Sequence, residues 1–332
     1  MGKYVLKRVL WMIPVLLGVC LIVFTLLYLS PGDPVEALLP TGYSQEQYDQ
    51  KEAELGLDKP FLTQFYYYIR NIVTHFDLGT SFQTRRPVTD EILERFPITF
   101  KLGILSVCIT ILLGIPIGVY SAIKQYSVGD YVVRTFTVMF AALPGFWLGL
   151  MLMLLFALTL RWLPASGLAS WKAWILPLVV QSLGPICMIT RMTRSNMLEV
   201  IRQDYIRTAR SKGAAENTVI FKHALKNALL PVITMLGMQV GMVMGGSVIT
   251  ESIFAIPGLG SLMVTAINNR NYPIILGTVF FLCIVISLLN LIVDLMYAFI
   301  DPRIKAQYTS DMIRKRKIKS VIEQEHQPQE VA

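Results

Sequence analysis

Charge is scarce in this chain. Asp, Glu, Lys and Arg make up 16% of its 332 residues, where a soluble globular protein carries roughly a quarter. That excludes an ordinary water-soluble domain, and the mean hydropathy of +0.54 agrees. Histidine is nearly missing: only His75, His223 and His326 occur, and no H-E-x-x-H pair is present to hold zinc from one helix face. There is no Gly-x-Ser-x-Gly elbow to expose a nucleophilic serine. The pattern G-x-x-x-x-G-K-[ST] is absent, so no P-loop cradles the phosphates of a nucleotide. No cofactor is therefore expected on this chain, and any ATP it depends on must be bound by another. The four cysteines, Cys20, Cys108, Cys187 and Cys283, all fall in apolar runs and at no metal-ligand spacing. They read as small buried hydrophobes. With neither a nucleophile–base set nor a metal set, an intramembrane enzyme is disfavoured.

Long apolar runs are what the chain has instead. Hydrophobic residues make up 54% of it, and a helix needs about 20 of them to cross about 30 Å of hydrocarbon. Six segments meet that length: Val9–Leu29, Ile98–Ala122, Val132–Leu160, Trp174–Ile189, Leu229–Ile249 and Ile274–Ile300. The fourth is short and holds Pro177 and Pro185, whose freed backbone groups neighbouring helices can satisfy. The fold class expected is an all-α polytopic membrane protein of six transmembrane helices. The first run is longer than the apolar core of a signal peptide and no small-x-small site follows, so it reads as an uncleaved anchor.

Basic residues set the orientation. Lys3, Lys7 and Arg8 precede the first span without an acid. The 191–231 segment holds eight basic and three acidic residues, and the tail after Asp301 adds seven basic ones, including Arg314–Lys317. Residues 30–97 reverse the balance, with eleven acidic against six basic. Positive charge marks the cytoplasmic side, so both termini and the 191–231 loop are expected there. The formal charge of +8 is then a sign of topology, not of affinity for nucleic acid. Four parts follow: 1–29, the N-terminus and first span; 30–97, an extracytoplasmic helical segment; 98–300, a five-helix core containing the 191–231 loop; and 301–332, a basic cytoplasmic tail.

The outer segment has helical order of its own. Ser44 with Gln47 fits a capping box, Gly56 suits the end of that helix, and Pro60 can open the next. Phe61, Phe65, Ile69, Ile72 and Phe76 would line one face of this second helix, and Val88–Phe96 reads as a third. A small cap over the outer membrane face is expected, and a part in receiving an external donor protein is the alternative.

The 191–231 segment is amphipathic. Met197, Leu198, Ile201, Tyr205 and Ala209 recur at helical spacing opposite Glu199, Gln203, Arg207 and Arg210. Gly213 interrupts the pattern before a second helical stretch runs into Pro231. An ordered helix–Gly–helix between two spans reads as a docking surface. Within the membrane, Pro144-Gly145-Phe146-Trp147 should kink the third span. Flexible thioethers and small or polar residues in the fifth, including Met235, Met238, Gln239, Met242, Met244, Gly245 and Ser247, suit a cavity or moving interface. Phe146, Trp147, Met235, Gln239, Met242 and Ser247 are the candidates for a translocation pathway. Ion-coupled transport would need ionisable groups near mid-membrane. Glu251 and Asp294 are the candidates, both near span ends, where Lys101 and Arg134 can also snorkel. A structural role suits the two acids better.

The loop also resembles the EAA signature of bacterial ABC-importer permeases, E-A-A, three residues, Gly, then I-x-L-P. Arg207-Thr208-Ala209 stands at the E-A-A positions and Gly213 at the glycine. His223-Ala-Leu225-Lys226 replaces I-x-L-P, with the proline delayed to Pro231. This form, D-Y-I-R-T-A-R-S-K-G followed by H-A-L-K-N-A-L-L-P, is similar to the peptide-permease variant. So are Ser30-Pro-Gly-Asp-Pro34, Leu55-Gly-Leu-Asp-Lys-Pro60, Asp77-Leu-Gly79, Thr250-Glu-Ser-Ile-Phe254, Pro257-Gly-Leu-Gly260, Asn290-Leu-Ile-Val-Asp294 and Asp301-Pro-Arg303. The resemblance covers nearly the whole chain and is closest to the first of two permeases in dipeptide/oligopeptide importers; nickel and glutathione importers share much of it.

It implies a type I importer permease in the bacterial plasma membrane. The implied partners are a second homologous permease, two ATP-binding subunits that carry ATP and Mg, an extracytoplasmic substrate-binding protein, and lipid. It also implies that Ile201, Asp204, Tyr205, Arg207, Thr208, Ala209, Arg210, Lys212, Gly213, Glu216 and His223 form the coupling surface for the ATPase. Ile201, Tyr205 and Ala209 would give apolar contact, and Arg207, Arg210 and Lys212 polar contact. Closure of the nucleotide-bound ATPase would drag this surface inward. A peptide cargo is favoured over nickel because no His- or Cys-rich cluster lines an outer loop or a span. An ion-coupled secondary transporter, needing no ATPase, is the rival.

Overall fold

The computed structural model describes residues 2–300, the side chains of 2–4, 246 and 297–300 excepted. The basic tail expected over 301–332, with Asp301-Pro-Arg303, lies outside the described residues. Among the described residues the regular structure is all helical, apart from one isolated β-bridge between Thr80 and Pro87. The helices are α1 (Gly2–Leu29), α2 (Gln45–Leu55), α3 (Phe61–His75), α4 (Val88–Ile123), α5 (Val128–Ala142), α6 (Gly145–Leu152), α7 (Ile175–Ile201), α8 (Asp204–Ser211), α9 (Glu216–Thr218), α10 (Leu225–Ile253), α11 (Leu259–Asn268) and α12 (Tyr272–Ile300). Five are long and apolar enough to cross a membrane, and the pair α5–α6 makes a sixth if taken as one span.

Helix α4 is the spine. Its first turns, Val88 and Ile92, join Ile72, Leu259, Leu262, Ile274 and Ile275 in a core at one end of the bundle, termed here the cap end. Leu102 joins Leu176, Val180, Phe254 and Ile256 midway. Val119 and Ala122 join Met197, Ile206, Val219 and Ala224 at the other end, the loop end. Along α4, Gly114, Gly118 and Ala122 recur every fourth residue and let α7 approach closely. A Cβ on Gly118 would stand 2.6 Å from Thr193 Cβ and 2.7 Å from the Thr190 carbonyl oxygen. Thr190 Oγ1 donates to the Gly114 carbonyl across the same seam (3.2 Å).

The capping box forms as expected: Gln47 N–H donates to Ser44 Oγ (3.3 Å) and Ser44 N–H to Gln47 Oε1 (2.9 Å). Gly56 ends α2 at φ +69°. Phe61 and Phe65 pack on Phe24 of α1, with ring centroids 5.3 and 5.5 Å apart. Phe76 leaves that face, because it is the left-handed C-cap of α3 (φ +53°) and is exposed.

Several boundaries differ from the sequence reading. The short helix expected over Val88–Phe96 is the start of α4, which runs through Pro97 and Pro116. The fourth span continues past Ile189 to Ile201, with Pro177 in its first turn, where no helical N–H bond is lost, and Pro185 inside the helix. Pro231 lies inside α10 instead of closing a helix, because packing overrides the local break. The kink at Pro144 is a 101° corner between α5 and α6. Leu143 and Pro144 are both extended (ψ 128° and 133°), since proline lacks an N–H and disfavours helix at the residue before it. From α6 the chain continues as a π-helix over Met153–Thr159.

Helix α11 was not anticipated. Glu251, fully buried, accepts from Gly260 N–H (2.7 Å), Ser261 N–H (3.1 Å) and Thr99 Oγ1 (2.7 Å), and Thr99 Oγ1 accepts from Leu259 N–H (2.8 Å). The carboxylate thus caps α11 and ties it to α10 and α4. Asp294 pairs with Arg8 of α1 (2.6 Å). Both acids are occupied by structural contacts.

Candidate coupling surface and translocation face

Helix α8 has one side fastened to the bundle and one side free. Ile206 is fully buried against Val119, Ala122, Met197, Val219, Ile220, Ala224 and Ala228, with Ile201 and Ala209 half-buried beside it. The sequence pattern placed Tyr205 on this face, yet Tyr205 is 44% exposed. The cause is a break at Arg202–Gln203 between α7 and α8, which rotates the register. Tyr205 is still held, its hydroxyl accepting from Asn227 Nδ2 (2.9 Å), which also donates to the His223 carbonyl (3.1 Å). His223 is half-buried.

The turn after α8 is a Schellman motif. Ala214 N–H donates to the Ala209 carbonyl (3.3 Å) and Gly213 N–H to that of Arg210 (2.9 Å), with Gly213 at φ +79°. Ala209 and Ala214 meet in the same core, the apolar contact that accompanies such a turn. Arg210 and Glu216 clamp the turn with a bidentate pair, Nη2–Oε1 at 2.7 Å and Nε–Oε2 at 3.1 Å. Those hydrogen bonds raise the Arg210 pKa further above its already high value. Asp204, Arg207, Thr208, Lys212 and Gly213 face outward. Arg207 and Asp204 are 3.8 Å apart and almost fully exposed, so they hold each other weakly. Phe221, not singled out in the sequence, is 58% exposed next to this surface in the π-helix Val219–Ala224. Its only signal was an aromatic ring directly before Lys222 and His223.

The candidate pathway residues divide. Phe146, Trp147 and Met242 are exposed on the single chain and Met235 is half-buried. Gln239 and Ser247 are buried. Gln239 Nε2 lies 3.4 Å from Met188 Sδ, and Ser247 Oγ donates to the Met244 carbonyl (3.0 Å). These two therefore bind α10 to itself and to α7, leaving Met238, Met242 and Ile249 as the outward stripe of α10.

With this architecture in place, two family models account for nearly all of the described chain. "Binding-protein-dependent transport system inner membrane component" matches residues 114–306, and the corresponding N-terminal model matches residues 1–103. The chain belongs to this family. Its relatives include the dipeptide transport system permease protein DppB of Alkalihalophilus pseudofirmus, 39% identical across 92% of this chain and 100% of that protein. The glutathione transport system permease protein GsiC of Salmonella choleraesuis is 40% identical across 92% and 99%. A putative peptide transport system permease protein of Brucella abortus is 42% identical across the same shares. In structure it is similar to a chain of the inward-facing MetNI methionine ABC transporter, with a TM-score of 0.54 and 18% identity over 63% of this chain and 96% of that one. The fold is that of a type I importer permease, and the protein is a multi-pass component of the bacterial plasma membrane.

Sequence reasoning missed the most buried ion pair among the described residues of the permease. Asp130, at the start of α5, has no exposure and meets Arg194 of α7 through Nε–Oδ1 (2.7 Å) and Nη2–Oδ2 (2.8 Å). Ser121 Oγ and Tyr126 N–H also donate to it. The available signal was Ser127-x-x-Asp130, a helix start, and Ser127 does cap α5. Gln181 was missed too: it donates to the Val243 carbonyl (2.9 Å) and accepts from Thr250 Oγ1 (2.8 Å), joining α7 to α10.

Proposed function

We propose that the chain is the membrane-spanning subunit of an ATP-driven importer of di- and oligopeptides. It works with a second homologous permease, two ATP-binding subunits that hold ATP and Mg, and an extracytoplasmic substrate-binding protein. The observation that carries the reading is the construction of α8. Its buried side is locked through Ile206 to α4, α7 and α10, while its free side offers Tyr205, Arg207 and Lys212, with Phe221 of the following π-helix exposed beside them. A force applied there reaches the spanning helices directly. The loop end is cytoplasmic and the cap end extracytoplasmic, in keeping with the basic N-terminus and loop. Phe146, Trp147, Met235 and Met242 belong to the face that completes the pathway with the second permease. Gln239 and Ser247 support that face from within. Peptide is the cargo because relatives along the whole length carry dipeptide, peptide and glutathione in their names, and glutathione is itself a short peptide. Gradient coupling is disfavoured by the structural engagement of Glu251 and Asp294.

The test is reconstitution with the partner subunits in proteoliposomes, with di- and tripeptides, glutathione and nickel compared. Peptide uptake should require ATP and the binding protein. A Cβ on Gly213 meets nothing within 4 Å, so Gly213→Val strains only the left-handed backbone, by on the order of 1–2 kcal/mol. That variant should insert normally, retain ATPase activity and lose most uptake, while Gly213→Asn, tolerant of left-handed φ, keeps it. Full uptake by Gly213→Val would remove the turn from the coupling path, and ATP-independent uptake by the chain alone would overturn the importer reading.

A further inference from the structure

A cavity of about 610 Å³ lies at the cap end, away from α8 and from the pathway candidates. Its walls come from the outer end of α1, the following loop, α2, α3 and the start of α12. The volume falls within the roughly 300–1,000 Å³ of small-molecule sites. Neither the coupling surface nor the translocation face uses it.

The walls are rich in aromatic rings and carry polar groups prepared for a ligand. Asp33 is fixed from two sides: its Oδ1 accepts from Val35 N–H (2.7 Å) and its Oδ2 from the Tyr48 hydroxyl. That bond pushes the Tyr48 phenol pKa up and keeps it protonated. Glu52 lines the same cavity half-buried, and among the described residues its carboxylate has no hydrogen-bond or ion-pair partner. Tyr68 contributes its ring to the wall, its hydroxyl being buried out of reach of the cavity. A carboxylate without a protein partner in a cavity walled by aromatic rings is placed to pair with a cation that enters it.

The charges select the ligand. The wall cation, Lys59, already lies 4.9 Å over the Tyr67 ring, so one ammonium–tyrosine pairing is built into this site. The nearby Arg270 packs its guanidinium over Gly32 and is not a wall residue. An anion would meet the carboxylates of Asp33 and Glu52, and a wholly apolar guest would leave Glu52 unpaired. We propose that this cavity binds a primary ammonium carried on an apolar body, with the Glu52 carboxylate accepting its hydrogen bonds and the aromatic walls holding the body. The free amino terminus of a short peptide and the headgroup of phosphatidylethanolamine share that chemistry. The importer reading contributes only the choice of a dipeptide as probe.

The test uses the full-length chain in phosphatidylcholine nanodiscs, without ATP or partners. In calorimetric titration, Ala-Phe should bind the wild type. N-acetyl-Ala-Phe, or the Glu52→Gln variant, should weaken binding at least tenfold. Glu52→Gln removes a charge that has no protein partner, so thermal stability should not fall. If the amine is a lipid's, Ala-Phe will not bind, but native mass spectrometry after extraction from mixed membranes will find phosphatidylethanolamine retained by the wild type and lost from Glu52→Gln. Equal behaviour of wild type and Glu52→Gln toward both amines, or equal binding of free and acetylated peptide, overturns the proposal. Because no transport is measured, a failed uptake assay would leave this result standing, and the reverse also holds.

Discussion

Asp130 has no contact with solvent, and four donors converge on it from α4, α7 and the turn before α5. A buried ion pair adds little over a well-packed apolar pair, but removing one partner strands the other, at about 3–5 kcal/mol. Asp130→Asn should therefore destabilise the purified protein by about that amount, because it leaves the Arg194 guanidinium facing an amide. Arg194→Lys should also be harmful, since an ammonium cannot reproduce the bidentate fork. Removing both charges, as Asp130→Ala with Arg194→Met, should cost less than the sum of the separate changes. Thermal unfolding in detergent reads all three. An Asp130→Asn variant as stable as the wild type would show that the pair is not a lock between α5 and α7.

At the scale of elements, the seam between α4 and α7 gives the sharpest contrast among the glycines. Gly118→Ala would force a methyl into the Thr190 carbonyl and the Thr193 side chain, and overpacking of this kind costs about 1–3 kcal/mol. Gly145, at the start of α6, has open space around a Cβ, so Gly145→Ala should be neutral or slightly stabilising. Melting temperatures of the two variants decide it, and equal effects would mean that α4 and α7 are not closely packed in the membrane. Elements of this kind differ in how legible they were. Long apolar runs revealed the spanning helices, Ser44 and Gln47 revealed the start of α2, and Gly213 revealed the turn after α8. Each depends on local chemistry. The break at Arg202–Gln203 has no glycine or proline to announce it, and so the pattern carried Tyr205 inward in place of Ile206. Helix α11 depends on Glu251 reaching it from α10 and Thr99 from α4. Conversely, Pro97, Pro116, Pro185 and Pro231 look like stops, but tertiary packing carries the helices through them.

Across the whole molecule, the two ends present opposite surfaces, and the loop end offers two arginines with different tasks. Arg207 is exposed and only weakly paired with Asp204, so it is free for a partner. Arg210 is committed to Glu216 across the Gly213 turn. Charge reversal at each should therefore separate assembly from internal order. Arg207→Glu should leave thermal stability within about 0.5 kcal/mol, as expected for surface substitutions, but sharply reduce co-purification of the ATP-binding subunits. Arg210→Glu opposes two acids at the turn, so it should loosen α8 and raise proteolytic cleavage between α8 and α9 even in the isolated chain. The double change Arg210→Glu with Glu216→Arg should restore the protease resistance, because it rebuilds the pair in reverse. Pull-down yield and limited proteolysis, measured on the same preparations, distinguish the two roles. If Arg207→Glu assembles normally while Arg210→Glu with Glu216→Arg does not, the docking contact runs through Arg210 and the free arginine is only a solubilising charge.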